Sequence, residues 1–199
     1  MAKTSSKKNT TTKGVLSLKI TLKHIKPPVW RRILVQDSMT LSDLSTVIRI
    51  VMGWDGGHLH EFNIGDQRYG DPSNAEGVTD ENRKKLSGLV KSGVTHFAYS
   101  YDFGDDWEHD ILIEKVLPAN APNAWPACVA GKRHCPPEDC GGPGGYADLL
   151  EILADPNHPD HEDQSDWLGD DFDPEAFSVA AADARLATVF RRNEPAEAV

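Results

Sequence analysis

The sequence predicts a single α+β domain: a mixed or antiparallel sheet that contains a hairpin and is packed by a few helices. Three patterns within its 199 residues carry this reading. Leu16, Leu18, Ile20 and Leu22 alternate with Ser17, Lys19, Thr21 and Lys23, the period of a strand with one buried face. Leu41, Leu44, Val47, Ile48 and Val51 fall on one stripe at helical spacing. Two extended runs, 96–103 and 107–117, are joined by Gly104-Asp105-Asp106, the composition of a tight hairpin.

The elements follow in order. Residues 1–13 are Ser, Thr, Lys and Asn with almost nothing apolar, so they form a flexible basic tail before a domain over 14–192, with a flexible C-terminus at 193–199. Pro27-Pro28 ends or bends the first strand, and Val29 to Val35 resumes extended chain. Thr40 stands three residues before Asp43, the spacing of a capping box, so a helix runs over 41–52 and ends at Gly53. Trp54-Asp55-Gly56-Gly57 is a turn, and His58 to Ile64 is a strand with His58, His60, Phe62 and Ile64 on one face. Residues 71–95 form a long polar connection with a short helix near Lys84 to Val90. On the second hairpin strand Trp107, His109, Ile111 and Ile113 share a face, so His109 points with apolar neighbours and could meet His58 or His60 if the strands adjoin. Residues 118–144 hold six prolines and all three cysteines, and no regular element is expected there. A short helix over Tyr146 to Ala154 and a longer one over Pro174 to Arg192 complete the domain.

Composition narrows the classes of function. The net charge of -10 divides unevenly: residues 1–50 carry ten Lys or Arg against Asp37 and Asp43, and residues 51–199 carry eleven bases against 29 acids. The acidic balance disfavours a general nucleic-acid binder, although the basic N-terminal segment leaves nucleic acid as a partner to test. No apolar run approaches the length of a membrane span, and the N-terminus has no apolar leader, so the expectation is a soluble protein with no membrane partner. Cys128, Cys135 and Cys140 are an odd, closely spaced set, which fits reduced thiols and a cytoplasmic setting.

Three constellations stand out. Cys128, Cys135 and Cys140, completed by His134, His58, His60 or His109, could hold zinc or another divalent ion, although the spacings are loose and cysteine is also a common small core residue. Asp102, Asp105, Asp106, Glu108, Glu138 and Asp139 could hold a divalent cation or act as acid and base; Asp beside Gly in a turn also serves local hydrogen bonding alone. Lys19, Lys23, Lys26, Arg31 and Arg32 around Trp30 could grip phosphates and stack a base, or simply defend a sheet edge above a core Trp30. The Gly-Gly-Pro-Gly-Gly run at 141–145 lacks the Lys-Ser/Thr of a phosphate loop, and no Ser-His-Asp set is visible.

Taken in order, Pro27-Pro28-Val29-Trp30-Arg31-Arg32, Gly53-Trp54, His58-Leu59-His60-Glu61-Phe62, Tyr69-Gly70, Tyr101-Asp102-Phe103-Gly104-Asp105-Asp106-Trp107-Glu108-His109, Cys135-Pro136-Pro137-Glu138-Asp139, Gly141-Gly142, Gly145-Tyr146 and Phe172-Asp173-Pro174 resemble the plasmid pRiA4b ORF-3-like proteins. The resemblance covers about residues 15–180 and implies a compact α+β domain associated with plasmids and mobile elements. It brings no established activity. The family pattern carries a His after the Leu matching Leu44, where this chain has Ser45. The expected function is a non-enzymatic binding or accessory domain for a protein or ligand partner. Its site lies where the 58–62 strand, the 101–109 hairpin and the 135–146 loop converge, with Trp54, Trp107 and Tyr146 nearby. A metal-dependent hydrolase or nuclease and a DNA-binding accessory protein are the alternatives.

Overall fold

The computed structural model describes residues 14–118, 126–169 and 172–190. The tails expected at 1–13 and 193–199 lie outside these residues. Eight strands form one sheet: β1 (Val15–Leu22), β2 (Trp30–Gln36), β3 (His60–Ile64), β4 (Gln67–Gly70), β5 (Thr79–Asp80), β6 (His96–Tyr101), β7 (Trp107–Leu117) and β8 (Ala127–Lys132). Their order across the sheet is β5-β4-β3-β6-β7-β1-β2-β8. β4 and β5 run parallel and the other neighbours antiparallel, so the sheet is mixed. Five helices accompany it: α1 (Leu41–Met52), α2 (Leu86–Lys91), α3 (Gly142–Ala154), α4 (His161–Leu168) and α5 (Val179–Phe190). The α+β class is therefore as the sequence predicts. Among the described residues no helix is long and apolar enough to cross a membrane.

The alternating segment becomes β1, between β7 and β2 in the interior of the sheet. Leu16, Leu18, Ile20 and Leu22 are each at most 1% exposed, and burying each side chain contributes roughly 1.5–3 kcal/mol before entropy is counted. Lys19 accordingly sits on a central strand, not on a defended edge. The capped stripe becomes α1 with the expected bounds. Asp43 N donates to the Thr40 hydroxyl at 3.1 Å, Thr40 N donates to the Asp43 carboxylate at 2.8 Å, and the helix ends at Gly53. Its whole stripe joins the strand side chains in one core.

Elsewhere the structure departs from the periodicity. β3 starts at His60, so His58 precedes it in the turn. β4 and β5 are short strands at one edge, with little apolar alternation to reveal them. β8 lies within the stretch 118–144 where no regular element is expected, of which 119–125 fall outside the described residues; it pairs with β2, bringing Cys128 opposite Ile33. α3 starts at Gly142, not Tyr146, with Pro143 in its first turn, where a missing backbone N–H costs nothing. α4 is polar and buries no residue, so no stripe marks it in the sequence. α5 starts at Val179 instead of Pro174.

Two positions fix how the elements meet. His109 on β7 lies opposite Tyr99 on β6 and is fully buried, its Nδ1 3.2 Å from the Tyr99 carbonyl. β6 lies between β3 and β7, so the adjoining strands that a His109 contact with His58 or His60 needs are absent, and the Tyr99 ring of β6 lies 5.7 Å from the His60 ring and 5.4 Å from that of His109. Gly142, at the start of α3, has φ +68° and leans on the β6–β7 turn so closely that an added Cβ would lie 2.3 Å from the Asp105 carbonyl oxygen.

Burial lowers the His109 imidazole from its ordinary 6.5 to about 4. The folded pKa is the lower one, so the folded chain binds fewer protons than the unfolded chain between these values and loses stability as pH falls from about 6.5 towards 4. His109→Gln is expected to flatten that part of the plot of urea midpoint against pH; curves parallel to wild type would mean that His109 is not held neutral. Gly142→Ala combines a left-handed φ with a backbone clash and is expected to cost about 1–3 kcal/mol, read as a lower thermal midpoint. An unchanged midpoint would mean that α3 is not wedged against the turn.

Candidate functional site

The β6–β7 turn is built around Asp102. Asp102 and Asp106 both have positive φ, 58° and 54°, a conformation Asp tolerates because its short carboxylate bonds nearby backbone. Asp102 Oδ1 accepts from Gly104 N at 2.9 Å, and Asp106 N donates to the Asp102 carbonyl at 2.6 Å. Asp102 N donates to the Leu59 carbonyl at 2.8 Å, tying the turn to the segment before β3. The second oxygen, Oδ2, faces His58 Nδ1 at 3.4 Å. The other nitrogen of His58 lies 3.5 Å from Asp139 Oδ1.

Both distances exceed a normal hydrogen bond, so His58 stands between two carboxylates without binding either tightly. One donor atom from each of His58, Asp102 and Asp139 lies within 4.8 Å of the others; no other three His, Cys, Asp or Glu side chains among the described residues converge in this way. Side-chain exposure rises from 10% at Asp102 through 31% at His58 to 75% at Asp139, so the cluster has an inner wall and an open side.

The 134–142 loop carries Asp139 to this place through contacts with distant segments. Trp54 Nε1 donates to the Pro136 carbonyl at 3.0 Å, Asp55 N donates to Glu138 Oε2 at 3.1 Å, and Gly141 N donates to Asp105 Oδ2 at 3.2 Å. The Tyr101 hydroxyl donates to Glu138 Oε1 at 2.5 Å. Burial, reinforced by this bond to a carboxylate, raises the Tyr101 phenol above the usual tyrosine range and keeps it a neutral donor. The Trp54 ring stacks on Tyr101 at 4.8 Å and 16°, and its ring lies 5.3 Å from His109 edge-to-face. Glu138, Asp105 and Trp54 thus hold the loop. Asp106 is exposed at the end of the turn, and Glu108 accepts from Lys23 at 2.5 Å, away from the cluster.

Beside the cluster lies a cleft of about 160 Å³ that includes His58, His60, Arg49, Glu81 and Phe103 in its lining. His60 Nε2 faces both oxygens of Glu81 at 3.2 and 3.1 Å. Arg49 and Glu81 were not legible as site residues in the sequence. Arg49 belongs to a helix whose visible signal is its apolar stripe, and Glu81 lies in a polar connection with no motif.

The other expected ligands are placed differently. Cys128 and Cys135 are buried and Cys140 is partly buried. Burial is the first cause raising all three thiols, Cys140 to about 12. Separately, by geometry, no cysteine joins the converging group among the described residues. The cysteine–histidine set considered for its residue types, despite loose spacing, is not brought together among the described residues, and the cysteines pack in or against the core. Tyr146 is buried in α3, which pushes its phenol up to about 12, and Trp107 is fully buried.

The basic surface expected around Trp30 also needs correction. Arg31 is 1% exposed and faces the core side, where its guanidinium donates to the carbonyls of Val51, Trp30 and Lys132 and lies 3.8 Å from the Phe177 ring centre. Trp30 is not a core residue; it is half-buried, with Lys19 and Arg32 over its ring at 5.5 and 5.3 Å. Arg32 makes a two-pronged contact with Glu114, both bonds 2.7 Å, so much of the positive charge on this face is already paired.

Comparison with known proteins agrees with this architecture. The chain is similar to the uncharacterized protein y4hQ of Sinorhizobium fredii (strain NBRC 101917 / NGR234), 42% identical over 171 residues that cover 84% of this chain and 88% of the relative. It is also similar to the crystal structure of MM3350, a protein of unknown function from Methanosarcina mazei Go1. That likeness has a TM-score of 0.80 and 40% identity, and covers 85% of this chain and 98% of that one. The family model for plasmid pRiA4b ORF-3-like proteins matches residues 14–181. With most of its length matched by that model, the chain belongs to the plasmid pRiA4b ORF-3-like protein family.

Proposed function

We propose that the chain is a binding domain that holds a divalent cation at His58, Asp102 and Asp139 and uses it to engage a ligand, with a role on plasmids or mobile elements of the kind the family name suggests. The convergence of three donors from three separate segments supports this reading. One imidazole and two carboxylates suit zinc and other first-row divalent ions, and three protein ligands leave coordination positions for water or a ligand. A tetrahedral ion at about 2.1 Å spaces its ligands about 3.4 Å apart, so binding requires only a modest closing of the cluster. The Asp139 side chain, 75% exposed, has room to turn towards such an ion while the loop backbone stays held.

A metal-dependent hydrolase is the second reading, favoured by the His60–Glu81 pair in the adjoining cleft. An imidazole held by a buried carboxylate can move a proton beside a metal-bound water. A DNA-binding accessory role has less support, because Arg31 is buried and Arg32 is paired.

Titration calorimetry with Zn²⁺ on chelator-treated, tag-free protein is expected to show one site per chain. His58→Ala and Asp102→Asn should each weaken binding at least about tenfold, whereas Cys135→Ala should leave it unchanged. Asn at 102 retains an oxygen for the turn, so its loss reports on the ligand and not on the fold. Binding that survives His58→Ala but is lost in Cys135→Ala would sink the assignment. Zinc at one hundred times its dissociation constant should also stabilise the fold by about 2.7 kcal/mol, read from the urea midpoint, and a midpoint indifferent to zinc would count equally against it.

A further inference from the structure

Arg49 has a position that the cation site does not explain. It reaches from α1 under the 54–57 turn, where Gly56 has φ +89° and an added Cβ would lie 1.5 Å from Arg49 Nη1. Glycine suits the left-handed φ there and lets the guanidinium pack directly against the turn. Arg49 Nε is buried with no hydrogen-bond partner among the described residues, and Nη2 donates to the Thr46 hydroxyl at 3.3 Å. No carboxylate pairs with Arg49 among the described residues, whereas the acids sharing its cleft are engaged: Glu61 accepts from Arg68 at 2.6 Å, Glu81 faces His60, and Asp71 accepts from the Ser73 hydroxyl at 2.7 Å. A guanidinium whose hydrogen bonding among the described residues is limited to Thr46 has donors left for an oxyanion in the cleft, and Nε, closed to solvent in this conformation, gains an acceptor only if the side chain turns towards the ligand. Arg49 lines the cleft together with His58, which is also one of the three cation donors.

From this juxtaposition we propose that the cleft takes a ligand bearing a phosphate group, its oxygens shared between the bound cation and Arg49. The inference rests on the cation site proposed above. The ion sets the order of binding: the Asp102 and Asp139 carboxylates beside the cleft add to the repulsion of a phosphate by Asp71 and Glu81 until a divalent ion cancels the charge of the two that hold it. Arg49 then contributes paired donors whose geometry matches a tetrahedral oxyanion, which a lysine cannot reproduce.

The test is binding of inorganic phosphate to the full chain by calorimetry, with and without saturating Zn²⁺, for wild type, Arg49→Gln, Arg49→Lys and His58→Ala. Expected are phosphate binding that requires zinc in wild type, a loss of at least about tenfold in Arg49→Gln with zinc affinity unchanged, and partial recovery in Arg49→Lys. Thermal midpoints close to wild type show that the variants are folded, and Arg49→Lys provides the same comparison if Arg49→Gln does not fold. Zinc binding without phosphate binding, or phosphate affinity unaffected by both Arg49 variants, overturns this inference and leaves the cation site standing. Absence of zinc binding in wild type overturns both.

Discussion

The clamp between the 134–142 loop and the β6–β7 turn is the constraint on which the candidate site depends. Asp139 and Asp102 are 37 positions apart in the chain, and His58 is 44 before Asp102. Their side chains converge because Gly142 wedges against the Asp105 backbone, Asp105 holds Gly141, and Glu138 accepts from both Tyr101 and Asp55. Each of these hydrogen bonds is worth about 1 kcal/mol net, and more where a carboxylate is the acceptor. Several acting on one short loop fix its path in the absence of regular structure. The carboxylates at 105 and 138 therefore build the scaffold, Asp102 holds the turn with Oδ1 while Oδ2 faces His58, and Asp139 is the exposed member.

Beneath the clamp lies a layer of aromatic and imidazole rings. The Trp54 ring touches those of Tyr101, Trp107 and His109, and Tyr99, against His109, extends the set to Phe62. The layer is polar in composition yet neutral, because burial lowers the His109 pKa and raises those of Tyr99 and Tyr101. Ser45 exchanges a 2.9 Å hydrogen bond with the Tyr99 hydroxyl, which gives that buried group a partner. This buried layer is uncharged, and the proposed donors His58, Asp102 and Asp139 lie beside it.

The parts of the fold legible in the sequence are those where local and tertiary demands agree. α1 has a capping box, an apolar stripe and a terminating glycine, and it forms with the expected bounds. β1, β6 and β7 carry alternation strong enough to identify them. β8 was hidden because its six residues sit among prolines and owe their pairing to β2, a partner ninety positions away or more that no local pattern announces. α4, lacking a buried face, had no period to detect.

The site was legible as a region and not as a set of ligands. Density of special residues pointed to the segments around His58, Asp102 and Asp139, but it could not separate scaffold from donor. The cysteines illustrate the difficulty: soft ligands by type, they are placed by packing in positions where their thiols stay protonated. Arg31 and Trp30 exchanged their expected faces, because a strand's side chains alternate and one residue's offset reverses inside and outside.

Anomalous diffraction at the zinc edge from zinc-soaked crystals locates the ion without reference to affinity or activity. A cation held by His58, Asp102 and Asp139 predicts one strong peak about 2.0–2.2 Å from a donor atom of each. A peak among Cys128, Cys135 and Cys140, or no protein-bound peak at saturating zinc, would contradict it.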